Sequence, residues 1–338
     1  MISFRYVRAD DVTHAVRQIA ETPNARFVAG GTNLIDLMKM DVERPTTVID
    51  ISQLPLKQVD NTASGGLRIG ALVRNADLAY HAEIEKRYPV LSSAILAGAS
   101  QQLRNMASTG GNLMQRTRCS YFYDTATPCN KREPGSGCPA INGHNRMHAI
   151  LGASGDCIAT HPSDMCVALA LLEAEVHVSG GSGERTIPFA DFHRLPGETP
   201  QRDTDLHADE IITAVELPPK GFADHYTYLK IRDRLSYAFA LVSVAVGLEL
   251  DGEFIKEGRV ALGGVAPKPW RDANAEATLR GRPVTAETFA LAADWLLRDA
   301  RGYAHNSFKI DLARRAIVRA LTQAARGEPQ SQSSKKIA

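Results

Sequence analysis

Five cysteines, Cys119, Cys129, Cys138, Cys157 and Cys166, fall within one short segment of a 338-residue chain, and the run ASTGGN at 107–112 leads directly into them. Thiolates gathered in one segment suit a metal ion or an iron–sulfur cluster. A glycine pair followed by asparagine suits a turn whose backbone N–H groups face a phosphate. A second such run, AGGTN at 29–33, lies near the N-terminus. Each run carries Thr and Asn donors beside its glycines, as a diphosphate with several acceptor oxygens requires. Neither run fits GxGxxG, so a dinucleotide held here lies between two loops of different subdomains. The chemistry to expect is an organic redox cofactor beside an inorganic one.

Four of the cysteines follow one another at intervals of 10, 9 and 19 residues. That spacing lacks both the C-x2-C knuckle of zinc fingers and the C-x2-C-x2-C run of bacterial ferredoxins, so it does not name the metal. It fits ligands gathered from a winding loop. Between Met114 and Ile158 apolar periodicity is almost absent, and a loop of that length without its own core needs another source of order, which a metal centre supplies. Arg116, Arg118, Lys131 and Arg132 would offset thiolate charge. His144, His148 and His161 are rival ligands for zinc, and four unligated buried thiols are the bland alternative. Cys166 differs: it lies in DMCVALALL, an apolar helical run in which cysteine acts as a small hydrophobe, and it is set apart from the ligand set.

The elements that must position these residues can be followed along the chain. Residues 2–8 alternate as a strand, and Asp11 caps a helix to about Glu21 with Val12, Ala15, Val16 and Ile19 on one face. Residues 25–40 run strand, double-glycine turn, helix, and TTVIDIS at 46–52 closes this βαβ-like opening. From Pro55 strands are expected near 56–60 and 66–70, with helices at 76–86 and 89–105, the second ending at the STGGN turn. Residues 161–180 read as a helix capped by Ser163 or Asp164, then a strand. The strand at 211–217 is closed by Pro218 and Pro219, which with Gly221 mark a boundary. TYLKIRD, FALVSVAVGLEL and GRVALGGVAP follow as three strands of an antiparallel sheet, with helices at 286–299 and 308–326 packing on it. The domains expected are 1–219, in subdomains 1–54 and 55–219, then 220–326, with a polar tail at 327–338 that reads as disordered.

Composition excludes several classes. With 39 basic against 38 acidic residues the net charge is +1, and no broad field favours nucleic acid or an anionic membrane. MISFRYVRADD does not read as a signal peptide, and no stretch approaches 18 continuous apolar residues.

AGGTNLIDLMKM (29–40), ASTGGN (107–112), HPSDM (161–165), YLKIRDRLSYAFALVSVA (228–245) and GRVALGGVAPKPWR (258–271) together resemble the FAD-binding, or medium, subunit of molybdenum hydroxylases, the group that includes the xanthine dehydrogenase and carbon monoxide dehydrogenase families. The cysteine run at 115–138 and Cys157 are similar to the cluster-bearing FAD subunit of the periplasmic aldehyde oxidoreductases, and a comparable loop occurs in 4-hydroxybenzoyl-CoA reductase. The resemblance implies an α+β fold: a two-part FAD domain of the vanillyl-alcohol-oxidase (PCMH) type, then a three-stranded antiparallel sheet with helices. It implies that Arg26, Phe27, Val28, Ala29, Gly30, Gly31, Thr32, Asn33 and Leu34 surround the FAD diphosphate, with Ser108, Gly110, Gly111 and Asn112 completing the cradle. It puts Asp164, Ile211 and Lys230 at the FAD site, although the residues alone read as a cap, core and a solvated lysine. It makes Cys119, Cys129, Cys138 and Cys157 the ligands of a [4Fe-4S] cluster.

The implied activity is electron transfer without a catalytic side chain. Aldehyde is oxidised at a molybdenum-cofactor large subunit, a [2Fe-2S] small subunit relays the electrons, and FAD passes them to an external acceptor. A zinc-ordered interaction module and a stand-alone flavin oxidase are the competing classes. The implied compartment is the periplasm, reached by co-export with a partner subunit, with the cytoplasm as the alternative.

Overall fold

Short alternating runs in the first fifty residues give three parallel strands, β1 (Arg5–Arg8), β2 (Ala25–Val28) and β3 (Thr47–Asp50), in the order β1-β3-β2. Parallel neighbours require crossovers, and the helices Val12–Glu21 and Leu34–Lys39 provide them. Asp11 caps the first by accepting from the His14 N–H at 2.7 Å, and Ala15 and Val16 bury against Ala25 and Ile49. The computed structural model of the chain describes residues 1–332.

The second sheet is antiparallel throughout: β4 (Val59–Asn61), β5 (Leu67–Gly70), β6 (Glu175–Gly180), β7 (Gly183–Pro188) and β8 (Ile211–Leu217), in the order β4-β5-β8-β6-β7. Sequence reasoning missed β7, an edge strand in which only Ile187 is buried. The helix expected over 89–105 is two, Pro89–Ala97 and Gln101–Met106, because Ala99 takes φ 49° and Ser100 caps a new start by accepting from the Leu103 N–H. The stretch 76–86 likewise divides into Asn75–Ala79 and Ala82–Arg87. The helix Asp164–Leu172 is buried at every position, and Ser163 rather than Asp164 caps it, accepting from the Cys166 N–H at 3.1 Å.

The third sheet holds β9 (Tyr226–Ile231), β10 (Val242–Asp251) and β11 (Phe254–Gly263), antiparallel in the order β11-β10-β9. Helices Ala286–Leu297 and Phe308–Ala325 cover one face, burying Val244, Val246, Ile317 and Leu321 together. The helix Asp164–Leu172 covers the other, where Ala245 and Ala261 join its core. Covered on both sides, β10 is buried from Val242 to Leu248 and loses the alternation a one-sided sheet would show. The FAD-type domain and the C-terminal sheet therefore share a core helix. The tail expected at 327–338 falls in part on residues 333–338, which lie outside the described residues; before them, Gln330 N–H donates to Thr227 Oγ1 at 2.9 Å and Gln332 Nε2 to the Tyr228 carbonyl at 3.1 Å.

The cysteine loop has more structure than its sequence suggests. Phe122, Ala140, Ala149, Ile150, Leu151 and Ile158 are buried within it. Lys309 of the last helix is fully buried and donates to the carbonyls of His148 at 2.8 Å and Gly264 at 2.5 Å, tying the loop to the C-terminal sheet. Burial and the nearby Arg146 charge push its ammonium down to about 7, from an ordinary 10.5. Between those values the unfolded chain binds more protons at this residue than the folded chain, so stability from this group rises with pH across that window. Lys309→Met is expected to remove that rise, as measured by denaturant unfolding at pH 7 and pH 9; an unchanged difference between the two pH values would refute the assignment.

Candidate functional site

The two glycine runs, far apart in sequence, meet in space. A Cβ on Gly30 would stand 1.8 Å from the Met106 carbonyl oxygen, so only glycine lets the first subdomain approach the second here. Gly31 follows at φ +72°, turning the chain into the helix Leu34–Lys39. On the opposite side Ser108 caps the short helix Thr109–Leu113, accepting from the Gly111 N–H at 3.2 Å. Between them lies a cavity of about 540 Å³, walled by Arg26, Phe27, Val28, Ala29, Gly30, Gly31, Thr32, Asn33 and Leu34 on one side and by Ser108, Gly110, Gly111 and Ile211 on the other.

The Asn33 carboxamide oxygen accepts from the Arg116 N–H at 3.0 Å, while its buried Nδ2 has no partner. A partnerless amide donor on a glycine-lined wall fits a ligand rich in acceptor oxygens, as FAD is. Asn112 does not line this cavity. Its Nδ2 donates to Asn75 at 2.8 Å and its Oδ1 accepts from the Ser163 hydroxyl at 2.5 Å, so it braces the turn from behind.

Asp164 faces a second cavity, of about 290 Å³, shared with His161, Ser163, Cys119, His148 and Gly264. Its carboxylate accepts from the Tyr228 hydroxyl at 2.7 Å and from Lys230 Nζ at 2.8 Å, and Lys230 also donates to the Ala97 carbonyl at 3.1 Å. With its side chain only 3 % exposed, Lys230 is not the solvated residue that its strand position suggests. It lines neither cavity but fixes the carboxylate that lines one. Burial drives the Tyr228 phenol well above its ordinary value, so it stays a donor.

Cys119, Cys129, Cys138 and Cys157 converge on a third, much smaller chamber, of about 10 Å³, walled also by Lys131, Phe122 and His148. All four are free thiols. A tetrahedral zinc site with bonds of about 2.3 Å would hold its sulfurs about 3.8 Å apart. Four cysteine thiolates are also the complement that a [4Fe-4S] cluster takes, one at each iron. Burial pushes Cys119 up to about 12 and also raises Cys138 and Cys157, the thiols adding to each other's effect. These three thiols would ionise together only when a cation replaces their protons. His148 lies 3.1 Å from Cys119 Sγ through Nε2 and lines both this chamber and the cavity of Asp164; burial and Lys309 hold its imidazole at about 4, so it is neutral. Cys166 does not line the chamber and is fully buried in its helix. His144 and His161 do not line it either.

An acid missed in the sequence joins two of these spaces. Asp203 accepts from Lys131 at 2.5 Å beside the cysteines and from Arg116 Nε at 2.8 Å beside the large cavity, where Arg116 also reaches Glu43 at 2.6 Å. It lies in the polar run TPQRDTDLHADE, which has no periodicity to single it out. Burial would raise its carboxyl, but Lys131 and Arg116 outweigh burial and hold it below the usual 3.8. The pairing therefore stabilises fully above the unfolded value and is lost as pH falls through the folded one. Asp203→Ala is expected to cost about 2 kcal/mol, less than the roughly 3–5 kcal/mol of a sealed ion pair. The reason is that its side chain remains 32 % exposed. Denaturant unfolding at pH 7 and pH 3 checks it, the difference from the unsubstituted chain shrinking at the lower pH.

Residues 2–220 match the family described as the FAD binding domain in molybdopterin dehydrogenase, and residues 226–324 match the CO dehydrogenase flavoprotein C-terminal domain. The chain belongs to the FAD-binding subunits of the molybdenum hydroxylases. It is 51 % identical to the aldehyde oxidoreductase FAD-binding subunit PaoB of Escherichia coli, over 96 % of this chain and 99 % of that one. The glyceraldehyde dehydrogenase medium chain of Sulfolobus acidocaldarius is 28 % identical over 82 % of each. Among solved structures, carbon monoxide dehydrogenase from Hydrogenophaga pseudoflava superposes with a TM-score of 0.75 at 25 % identity, covering 97 % of this chain and 99 % of that one. This FAD-binding subunit thus has the α+β fold of the CO dehydrogenase medium chains, with the three-stranded C-terminal sheet, and belongs to a group of oxidoreductases.

Proposed function

We propose that this subunit carries FAD and a [4Fe-4S] cluster in a heterotrimeric molybdenum aldehyde oxidoreductase, receiving electrons from [2Fe-2S] and molybdenum-cofactor subunits and delivering them to an external acceptor. The observation that carries the reading is the convergence of four free thiols on one chamber separated from the cavity of Asp164 by Cys119 and His148. The likeness to PaoB supports the aldehyde. FAD supplies storage of two electrons and their release one at a time. The chain's own residues supply placement. The 29–33 turn and the 108–111 helix start would hold the diphosphate, Asn33 offers its free amide, and Asp164, held by Tyr228 and Lys230, would offer acceptor oxygens to the cofactor.

Export as a folded complex with a partner's signal would put it in the periplasm. Purification of the complex tests the whole. Expected are one FAD per chain, four irons beyond those of the [2Fe-2S] subunit, and reduction of the flavin by aldehyde. A flavin-containing complex without those four irons would remove the cluster from the reading.

A further inference from the structure

The cysteine left over by the cluster has neighbours of its own. Cys166 opens the helix Asp164–Leu172, His161 precedes that helix's cap, and His193 follows the short helix Phe189–Phe192. One ligand atom from each of the three lies within 4.8 Å of the other two. The imidazoles are in contact, with centroids 4.3 Å apart. His193 Nε2 pairs with the Leu113 carbonyl at 2.9 Å, which fixes its proton there and leaves Nδ1 as a lone pair. That Nδ1 is buried without a partner, and so is His161 Nε2. Two orphaned ring nitrogens beside one sealed thiol are unusual in a folded core, where such groups find partners.

We propose that His161, Cys166 and His193 form a mononuclear site for a soft-to-borderline transition ion, of the zinc(II) or copper(I) class. Two neutral imidazoles and a thiolate are the donors these ions prefer. The carbonyl-bonded Nε2–H of His193 is the outer partner that ligating histidines usually have. Bonds of 2.0–2.3 Å need donor separations of about 3.5 Å, a closure that rotation of the imidazoles supplies. The one hydrogen bond to the His161 ring is a long one, 3.4 Å from the Ser163 N–H to Nδ1, so a small rotation of the ring costs little hydrogen bonding. On binding, the ion takes the place of the Cys166 proton, which leaves to solvent; nothing is oxidised or reduced. Cys166 lines none of the three spaces described above, and His161 and His193, which line the 290 Å³ and 540 Å³ cavities, do not line the four-cysteine chamber, so the site is separate from that chamber and does not depend on a cluster there.

The test uses the intact complex. Zinc(II) and, anaerobically, copper(I) are offered separately, excess is removed, and metals are counted by mass spectrometry for the unsubstituted complex, Cys166→Ala and His193→Gln. Cobalt(II) serves as an optical probe through its thiolate charge-transfer band. One additional zinc or copper per complex is expected, with binding weakened at least tenfold in both variants and the cobalt–thiolate band absent from Cys166→Ala, whose flavin and iron contents stay unchanged. Equal metal uptake by the unsubstituted complex and Cys166→Ala, or none by either, overturns the proposal. The iron count, read separately, tests the cluster.

Discussion

With the proposed cluster in the four-cysteine chamber, Cys129→Ser is expected to empty it of iron, from the four irons proposed for this subunit to less than one, while FAD stays bound. Cys129 is central to the loop's geometry. Its N–H donates to Ser136 Oγ at 2.9 Å, its carbonyl accepts from Arg132 and Glu133, and Asn130 beside it accepts from the Gly137 N–H at 2.7 Å. Side-chain bonds also tie this turn to its neighbours: Asn130 Nδ2 donates to the Asp156 carbonyl at 3.0 Å beside Cys157, and Arg132 Nη1 donates to the Tyr121 and Phe122 carbonyls at 2.6 and 2.7 Å near Cys119. Serine keeps the backbone contacts and removes the soft ligand. Cys119, Cys138 and Cys157 would then remain with no cation to balance them and would take the protonated form that desolvation favours. The loop should loosen, and trypsin should cut after Lys131 or Arg132 at least tenfold faster than in the unsubstituted complex. Iron analysis, the cluster's paramagnetic signal and digestion rate read the three effects. Stopped-flow reduction of the flavin by aldehyde answers a further question: a fall of tenfold or more makes the cluster a relay, and an unchanged rate makes it a structural tie. Retention of all four irons would mean that Cys129 is no ligand.

The order of elements was legible because most of them carry their own period. The helix Val12–Glu21 has its Asp11 cap and apolar face in one contiguous stretch, and β9 to β11 are long apolar runs. The run at 29–33 was legible as a turn, with Gly31 at φ 72°, whereas the turn expected at 108–112 is the start of the short helix Thr109–Leu113, which holds Gly110 and Gly111. What the sequence could not convey was long-range electrostatics. Lys230 reads as solvated because its strand alternates, yet Asp164, 66 residues away, meets it in the interior. Lys309 is likewise buried by carbonyls of distant loops, and Asp203 gains meaning only from Lys131 and Arg116. The split of 89–105 escaped notice for a different reason. Its break depends on a left-handed alanine, Ala99, which no local propensity favours and which tertiary packing must impose. His193 was missed in a loop without pattern, although its neighbour in space, His161, was weighed as a ligand from the start.

Gly30→Ala is expected to be the most damaging single substitution in the flavin cavity, weakening FAD at least 100-fold, about 2.7 kcal/mol. The added Cβ would lie 1.8 Å from the Met106 carbonyl oxygen and 2.5 Å from its carbon. Both are backbone atoms, and Met106 leads through Ala107 to the Ser108 cap, so neither side can yield by rotating a side chain. Relief requires the 29–33 turn to retreat from the 108–111 helix start, which widens the very gap that a diphosphate would bridge. Charge-assisted hydrogen bonds weaken steeply over such a displacement. Gly31→Ala makes the contrast. Its φ of +72° costs about 1 kcal/mol for a non-glycine residue, and its Cβ would press Ile35 Cγ1 at 2.9 Å. A side-chain carbon can give way, so FAD binding should weaken by about tenfold only. Titration of deflavinated complex with FAD, followed by quenching of flavin fluorescence, ranks the two. Equal affinities for Gly30→Ala and the unsubstituted complex would mean that the close approach of the two segments is not what holds the cofactor.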